Sequence, residues 1–493
     1  MPYLLSLDAG TTSLKAVLFD TEGRQVASHL EEYELFKPSP DIVELDPQVY
    51  WQSATASIRA VIEASRVAAG DIVAIGVTSQ GETLTVVDGH GEPLRPSIVW
   101  LDNRSREEAE AMDREFSPND VYRVTGQPEM IPTWTATRIL WLRRNEPEVF
   151  RRAHKYLMVE DYLIHRLTGR YATDRALCPS TLYYDLTTGQ WWPEMLGYLG
   201  IDEAQLPALK DSAEIAGEVS EEAARQTGLR RGTVVTTAPI DQVAGAVGAG
   251  NLEPGVITET TGAALAICAT LDEPAYDPQR RIGLYAHAVR GRYVLLPWIP
   301  TAGMVLRWFR DELGGGMDYN RLAEEARAVA AGSDGLIVLP HLSGAGSPEP
   351  DPRVKGVFWG LTLGHHRGHF VRAIMESIAY VLRSNLLALE DLGMEIREVR
   401  SLGGAARSDL WLQIKADVCR KDLLVMACDE AASLGVAMLA SVAAGVHADL
   451  EAAKQAMVAV RTRTPFDPSA AAGYDACYRR YADLYRHIKG LFE

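Results

Sequence analysis

Three features of the sequence predict an α/β protein of more than one domain. Strand-like and helix-like segments alternate along the whole chain. Its 493 residues exceed what one hydrophobic core usually organises, so two or three domains are expected. The third feature is a recurrence: a strand, a Gly/Thr turn and a second strand open the chain, and the same succession returns after residue 255.

YLLSLD (3–8) reads as a buried strand, AGTTS as a turn, LKAVLFD as a second strand, DTEG as a hairpin turn and RQVASHL as a third strand. Asp46-Pro47 opens a helical stretch, VYWQSATASIRAVIEASR, and DIVAIGVTS follows as a strand. GVITET (255–260) and ALAICA (264–269) make the second strand pair, joined at Thr261-Gly262-Ala263. Glu253-Pro254-Gly255 marks a domain seam, and SGAGSPEPDPRVKG (343–356) a long loop between strand-like LIVLP and VFWGL. Residues 367–393 carry apolar side chains at helical spacing and end in Gly393, which a long packed helix explains. After Pro465 the amphipathic, aromatic-rich tail reads as a terminal helix docking on the body.

With 47% hydrophobic and 23% charged residues, the chain has ample apolar surface to bury. Its 49 Lys and Arg against 66 Asp and Glu leave a net charge of −17, which repels nucleic acid and anionic membranes, so neither is an expected partner. A small anion such as a nucleotide remains compatible, because backbone N–H groups and a metal bind it locally. The five cysteines lack a C-x-x-C pair, arguing against a disulfide framework and a structural zinc and for a reducing compartment. No export signal is apparent, and no apolar run reaches the roughly 18 to 20 residues of a membrane span. A cytoplasmic location is expected.

Chemistry begins at Asp8-Ala9-Gly10-Thr11-Thr12-Ser13-Leu14-Lys15. A carboxylate at a strand end, a turn rich in N–H and hydroxyl donors, and then a cation suit Mg²⁺ and the terminal phosphates of a nucleotide; such a turn standing alone is as readily structural. Gly403-Gly404-Ala405-Ala406-Arg407-Ser408 follows a strand and precedes a helix near Asp409. It suits either close backbone approach to a ligand or a plain tight connection, and it matches neither Walker A nor G-x-G-x-x-G. Asp241-Gln242, between strand-like TVVTTA and the small-residue run VAGAVGAG, suits a base that takes a hydroxyl proton, or a helix cap.

Together these segments resemble the FGGY family of carbohydrate kinases over nearly the whole chain. The most specific piece is GVFWGLTLGHHRGHFVRAIMES, in which Gly356, Phe358, Gly360, Leu361, His369, Phe370, Ala373, Ile374, Met375 and Glu376 stand at the family's spacings. DAGTTSLK, SQGET with the later WLDNR, PIDQVAGAVG and GGAARSDLWLQIKADV follow in the family's order. The resemblance implies two actin-like, ribonuclease-H-like domains, each a mixed β-sheet flanked by helices, with an active-site cleft between them. It divides the chain into 1–246 with the sugar side and phosphate turn, 247–465 with the nucleotide side, and a docking helix at 466–493.

By the same resemblance, Asp8 positions Mg²⁺, and Thr11, Thr12, Ser13 and Lys15 face the phosphates of ATP. Gly262 and Ala263 approach them from the second domain, with Gly303, Gly404 and Ser408 lining the nucleotide pocket. Asp241 is the catalytic base, and Gln80, Gly81, Glu82, Trp100, Asp102 and Gln242 join it on the sugar. Ala263 departs from the family, which commonly carries a hydroxyl residue there. His365 and His366 need no metal, since His369 belongs to the signature and no Cys or paired carboxylate joins them.

Ser79-Gln80-Gly81-Glu82-Thr83 corresponds to the family's sugar-contacting segment. Glu82, Thr83 and Gln242 are similar to glycerol kinases, yet Gly81 lacks their arginine and Thr133 stands at the place of a substrate-facing tyrosine. Trp100-x-Asp102-x-Arg104, the chain length and the GAVGAG run resemble the pentulose kinases more closely. Gly81 is expected to open room for a longer substrate, and Glu82 to accept from vicinal hydroxyls. The expected acceptor is a small ketose or polyol, above all a pentulose such as D-xylulose. Glycerol, erythritol or another polyol is the alternative within the family, and an actin-like ATPase or a non-catalytic sugar sensor the alternatives outside it. Large homodimers are frequent in the resembling family, which leaves a homodimer open, while the sequence itself does not specify the oligomeric state.

Overall fold

The structure, a computed structural model, describes residues 1–492. The chain forms two compact units, each built from three separated segments. Unit 1 comprises Met1–Leu252, Asp272–Val294 and Glu430–Val458, and unit 2 comprises Glu253–Leu271, Leu295–Asp429 and Ala459–Glu493. The first break falls at the Pro-Gly punctuation after Leu252, whereas residues 246 and 465 are not unit limits.

In unit 1, β1 (Tyr3–Ala9), β2 (Ser13–Asp20) and β3 (Gln25–Glu32) form the antiparallel meander read from the sequence. With β4 (Ile72–Ser79), β5 (Ile215–Glu218) and β6 (Val234–Thr237) they make a six-stranded sheet in the order β5-β6-β4-β1-β2-β3. β1 runs parallel to β4, and β4 parallel to β6. The interior strand β1 is apolar on both faces, with Leu4, Leu5, Leu7 and Ala9 fully buried, as expected of a strand covered on both sides. On one face lies α1 (Pro47–Ser65), whose Asp46 carboxylate accepts from Gln48 N–H at 2.9 Å and whose first turn begins with Pro47. Two further helices matter for the site, α2 (Val159–Thr168) and α3 (Asp241–Gly248).

Unit 2 repeats the plan. β7 (Val256–Thr261), β8 (Leu265–Leu271), β9 (Glu398–Leu402), β10 (Leu423–Met426) and β11 (Val460–Thr464) run in the order β8-β7-β9-β10-β11. The first and last pairs are antiparallel and the two inner pairs parallel, the same sense of pairing as β2-β1-β4-β6-β5. The recurrence in the sequence is thus one visible turn of a repetition that extends through five strands of each sheet. The helix α4 (Arg367–Asp391) starts with a reciprocal cap, in which Gly368 N–H donates to His366 Nδ1 and His366 N–H to His369 Nδ1, each at 3.2 Å. The helix α5 (Asp409–Cys419) follows β9.

At Glu430 the chain returns to unit 1 with α6 (Ala431–Ala443), which lies on the face of the sheet opposite α1. α6 crosses α3 at backbone distance: a β-carbon on Gly248 would stand 1.8 Å from Ala431 O, and one on Gly435 2.0 Å from Ala244 O. The small-residue run after Asp241 is therefore a helix-crossing surface. The last helix, α7 (Pro468–Ile488), docks within unit 2 on α4. Its Tyr474 hydroxyl donates to Glu376 Oε1 at 3.1 Å and accepts from Arg372 Nη2 at 2.9 Å.

Candidate active site

Asp8 stands near the end of β1, opposite Lys15 in the β1–β2 register. Burial pushes its carboxyl up to about 6; Lys15 lowers it and Glu430 raises it. Lys15 Nζ donates to Glu430 Oε2 at 2.6 Å, so the cation expected at the phosphates is held by the residue that precedes α6. The intervening loop is closed on itself. Gly10 N–H donates to Ser13 O and Tyr33 N–H to Thr12 O, both at 2.9 Å, while the Tyr33 hydroxyl lies 2.5 Å from Gly10 O and 3.1 Å from Ser13 O. With these carbonyls already accepting, the turn has N–H and hydroxyl donors left for an anion. Thr12 is exposed, and Thr11 and Ser13 are half-buried.

Asp241 is the first residue of α3, and Ile240 rather than Asp241 occupies the cap position. Burial, then Asp8, then Glu82 push its carboxyl up to about 7, against hydrogen bonds from the backbone and the side chain of Gln242, the Gln242 N–H lying 2.6 Å from Oδ1. The structure therefore brings Asp8, Glu82 and Asp241 within electrostatic reach of one another, with Gln242 half-buried beside them. Glu82 has the same character: burial raises its carboxyl to about 7, and Ser180 and Arg138 pull it back. Its backbone takes the left-handed conformation, φ +60°, which a non-glycine residue adopts at some cost.

Arg138 sustains that conformation. It is fully buried on a helix, donates to the carbonyl of Glu82, and reaches Trp100 O at 2.8 Å and Asp102 O at 3.3 Å. Burial lowers its pKa to about 10. Arg138 thus clips SQGET to WLDNR, two segments the sequence treats as separate motifs. Trp100 in turn donates its indole N–H to Thr11 Oγ1 at 2.8 Å, joining WLDNR to the Gly10–Ser13 turn.

Three expectations need adjusting. Gly81 does not open a space, because a β-carbon there would meet Ser180 Oγ at 2.7 Å and Ile240 Cδ1 at 2.8 Å; the glycine permits close packing against the residue before Asp241. Asp102 is buried, with Arg104 Nε and Nη2 at 2.9 and 2.7 Å and the Val43 N–H at 2.6 Å on its carboxylate, so it supports the loop from behind. Gln80 is half committed: Nε2 donates to the Tyr50 hydroxyl at 3.0 Å, while the buried Oε1 has no protein partner among the described residues. Sequence reasoning missed Arg138, Ser180, Glu430 and Tyr285, whose hydroxyl burial and the Glu82 charge hold protonated. Only Arg138 left a signal, a cation within the apolar part of TRILWL.

Unit 2 contributes its own turn. Ala302 and Met304 N–H donate to Ala263 O at 2.8 and 3.2 Å, and Gly303 N–H donates to Gly262 O at 2.9 Å. A β-carbon on Gly303 would lie 2.4 Å from Gly262 O, so that approach requires glycine. Both turn carbonyls are occupied, the Gly262 N–H donates to Ala264 O at 3.0 Å, and Ala263 is exposed. Gly403 (φ +79°) brings β9 to within 2.8 Å, measured from its would-be β-carbon, of Thr261 O. Gly404 is exposed, and Ser408 caps α5, accepting from Trp411 N–H at 3.4 Å.

Among the described residues no three His, Cys, Asp or Glu side chains form a metal cage. Asp8 and Asp241, hard oxygen donors that repel each other, fit a magnesium ion delivered with phosphates, which takes few protein ligands. No helix among the described residues is long and apolar enough to cross a membrane.

The family model for the N-terminal domain of the FGGY family of carbohydrate kinases matches residues 3–248, and that for its C-terminal domain residues 260–444. Over 493 residues the chain is 27% identical to a xylulose kinase of Bacillus subtilis, covering 100% of this chain and 98% of the relative. A gluconokinase of the same organism is 30% identical, with 100% and 96% covered. The crystal structure of a ligand-bound xylulose kinase from Lactobacillus acidophilus superposes with a TM-score of 0.93 at 27% identity, covering 100% of this chain and 99% of that one.

Proposed function

Since the chain belongs to the FGGY family of carbohydrate kinases and is an ATP-dependent sugar kinase, we propose that its acceptor is a small neutral ketose or polyol, first of all a pentulose such as D-xylulose. The observation that carries this reading is the convergence of Asp8, Glu82 and Asp241 in unit 1. Asp241 is the base: its carboxylate takes the proton of the acceptor hydroxyl as that oxygen attacks the γ-phosphorus and ADP leaves. A pKa of about 7 suits a base working near neutrality. Glu82 and Gln242 hold the neighbouring hydroxyls, and Trp100 walls the sugar while holding Thr11.

Asp8 would hold Mg²⁺, which neutralises phosphate charge when bound. The Gly10–Ser13 turn and Lys15 would face the terminal phosphates. The nucleotide lies against Gly262, Ala263, Gly303, Gly404 and Ser408 of unit 2. Arg138 is committed to carbonyls and Lys15 to Glu430, so neither of these two cations stands ready for the carboxylate of a sugar acid. A cytoplasmic setting accords with five cysteines that are all free thiols.

ADP release from Mg-ATP is the test, measured across D-xylulose, L-xylulose, D- and L-ribulose, glycerol, erythritol, the pentitols and gluconate. Turnover far above the sugar-free rate with a neutral pentulose is the expected result. A response to gluconate alone would overturn the neutral acceptor, and a response to glycerol or erythritol alone would replace the pentulose with a shorter polyol.

A further inference from the structure

A fully buried lysine is rare unless its charge is matched, and Lys415 of α5 is fully buried. It faces Glu259 of β7, equally buried, at 2.8 Å from Oε1 and 3.0 Å from Oε2. The third ammonium hydrogen goes to Thr261 Oγ1 at 2.7 Å. The Thr261 hydroxyl in turn donates a hydrogen bond to Glu259 Oε2 at 2.6 Å, and that of Ser401 of β9 donates to Glu259 Oε1. Every donor of the ammonium and both carboxylate oxygens are used, so the cluster is a closed, rigid network rather than a pair left half-solvated.

Its position is what gives it a role. Thr261 immediately precedes the Gly262–Ala263 turn. Ser401 lies two residues before Gly403, which packs against Thr261 O. Lys415 belongs to the helix that Ser408 caps. The segments carrying Gly262 and Ala263, Gly404 and Ser408 come from β7, β9 and α5, and this one network ties all three together beneath them. The turn lacks a hydroxyl at Ala263, and the Thr261 hydroxyl is consumed inside the network. With the Gly262 N–H donated to Ala264 O at 3.0 Å, what remains for phosphate is the Ala263 backbone N–H, which works only if the backbone is held in place.

We propose that Glu259 and Lys415, acting through Thr261 and Ser401, are positioning residues that hold the nucleotide-side turn of unit 2 in its binding geometry. Neither touches the nucleotide. The inference rests on the placement of the nucleotide given above.

Two sets of variants test it, with thermal unfolding, KM for ATP and KM for the best sugar as readouts. Lys415→Met alone strands a buried carboxylate and is expected to unfold readily. Glu259→Leu with Lys415→Met replaces the pair by apolar groups and is expected to restore folding. Thr261→Val removes only the link to the turn. If the network positions the turn, the double variant and Thr261→Val are folded, show KM for ATP raised at least fivefold, and keep KM for the sugar within twofold. Folded variants with wild-type kinetics for ATP, or with both KM values raised equally, would overturn the proposal. Ala263→Asp, an exposed change that puts negative charge on the turn, separates this from failure of the nucleotide placement. If it leaves KM for ATP unchanged, the nucleotide is not at this turn and both readings fall. If it raises KM for ATP while the network variants do not, the network proposal alone falls.

Discussion

Gly248 and Ala431 stand so close that a β-carbon on the glycine would lie 1.8 Å from the alanine carbonyl oxygen. The contact joins α3, which begins with Asp241, to α6, which follows Glu430. Gly248→Ala cannot be absorbed by a side-chain rotation, because the obstacle is backbone. It is expected to cost about 3 kcal/mol or more, and to lower kcat in whatever protein remains folded. Denaturant unfolding beside initial rates checks both parts.

Asp241→Asn retains the size of the side chain and removes the proton acceptor. A fall in kcat of roughly 10²- to 10⁴-fold is expected. The melting temperature should not drop, since the variant relieves repulsion from Asp8 and Glu82. Wild-type turnover in this variant would remove Asp241 from the reaction.

The pH profile follows from the same group. Asp241 accepts a proton only as the carboxylate, and burial with Asp8 and Glu82 places its pKa at about 7. kcat/KM for the sugar should therefore decline on the acid side of neutrality, approaching about tenfold per pH unit. Glu82→Gln removes one of the two raising charges, so the inflection should move to lower pH. An inflection that stays in place would detach it from Asp241.

Gly81→Ala tests whether the missing side chain is space or packing. The added methyl meets Ser180 and Ile240, the latter next to Asp241. A loss of about 1 to 3 kcal/mol of stability and a lower kcat with every sugar are expected. A variant that merely rejected longer sugars would restore the open-pocket reading.

A second group of acids makes a stability prediction. Glu160, at the start of α2, is fully buried; its Oε1 accepts from Ala238 N–H at 3.2 Å, and burial with Asp174 and Asp161 raises its pKa well above the ordinary value. A carboxyl with a raised folded pKa holds a proton that the unfolded chain has released, so it opposes folding increasingly as pH rises above about 4.5. Glu160→Gln should raise the melting temperature at pH 8 and leave it nearly unchanged at pH 4. An equal shift at both pH values would show that the effect is not ionisation.

The local parts of this candidate site are legible in the sequence. An acid at a strand end and a glycine turn are local, and YLLSLDAGTTSLKAVLFD contains both strands of the hairpin that presents Asp8. The partners that make these residues work are distant: Glu430 meets Lys15 across 415 positions, and Lys415 meets Glu259 across 156. Arg138 bonds to backbone carbonyls, which leave no residue-type trace for a sequence reader to pair with it. Gly81 is the reverse case: a missing side chain suggests room in the sequence, but neighbouring atoms fill the place.

The interleaving of the units also dictates an order of events during synthesis. The six-stranded sheet of unit 1 and α3 are complete once Leu252 has been made, yet α6, which covers β1 and clasps α3, comes only with Glu430–Val458. At ribosomal speeds of about 5 to 20 residues per second, that gap is roughly ten to forty seconds. Throughout it the nascent chain carries a sheet with one bare apolar face and a glycine-lined helix without its mate, a window in which chaperone capture or aggregation competes with closure.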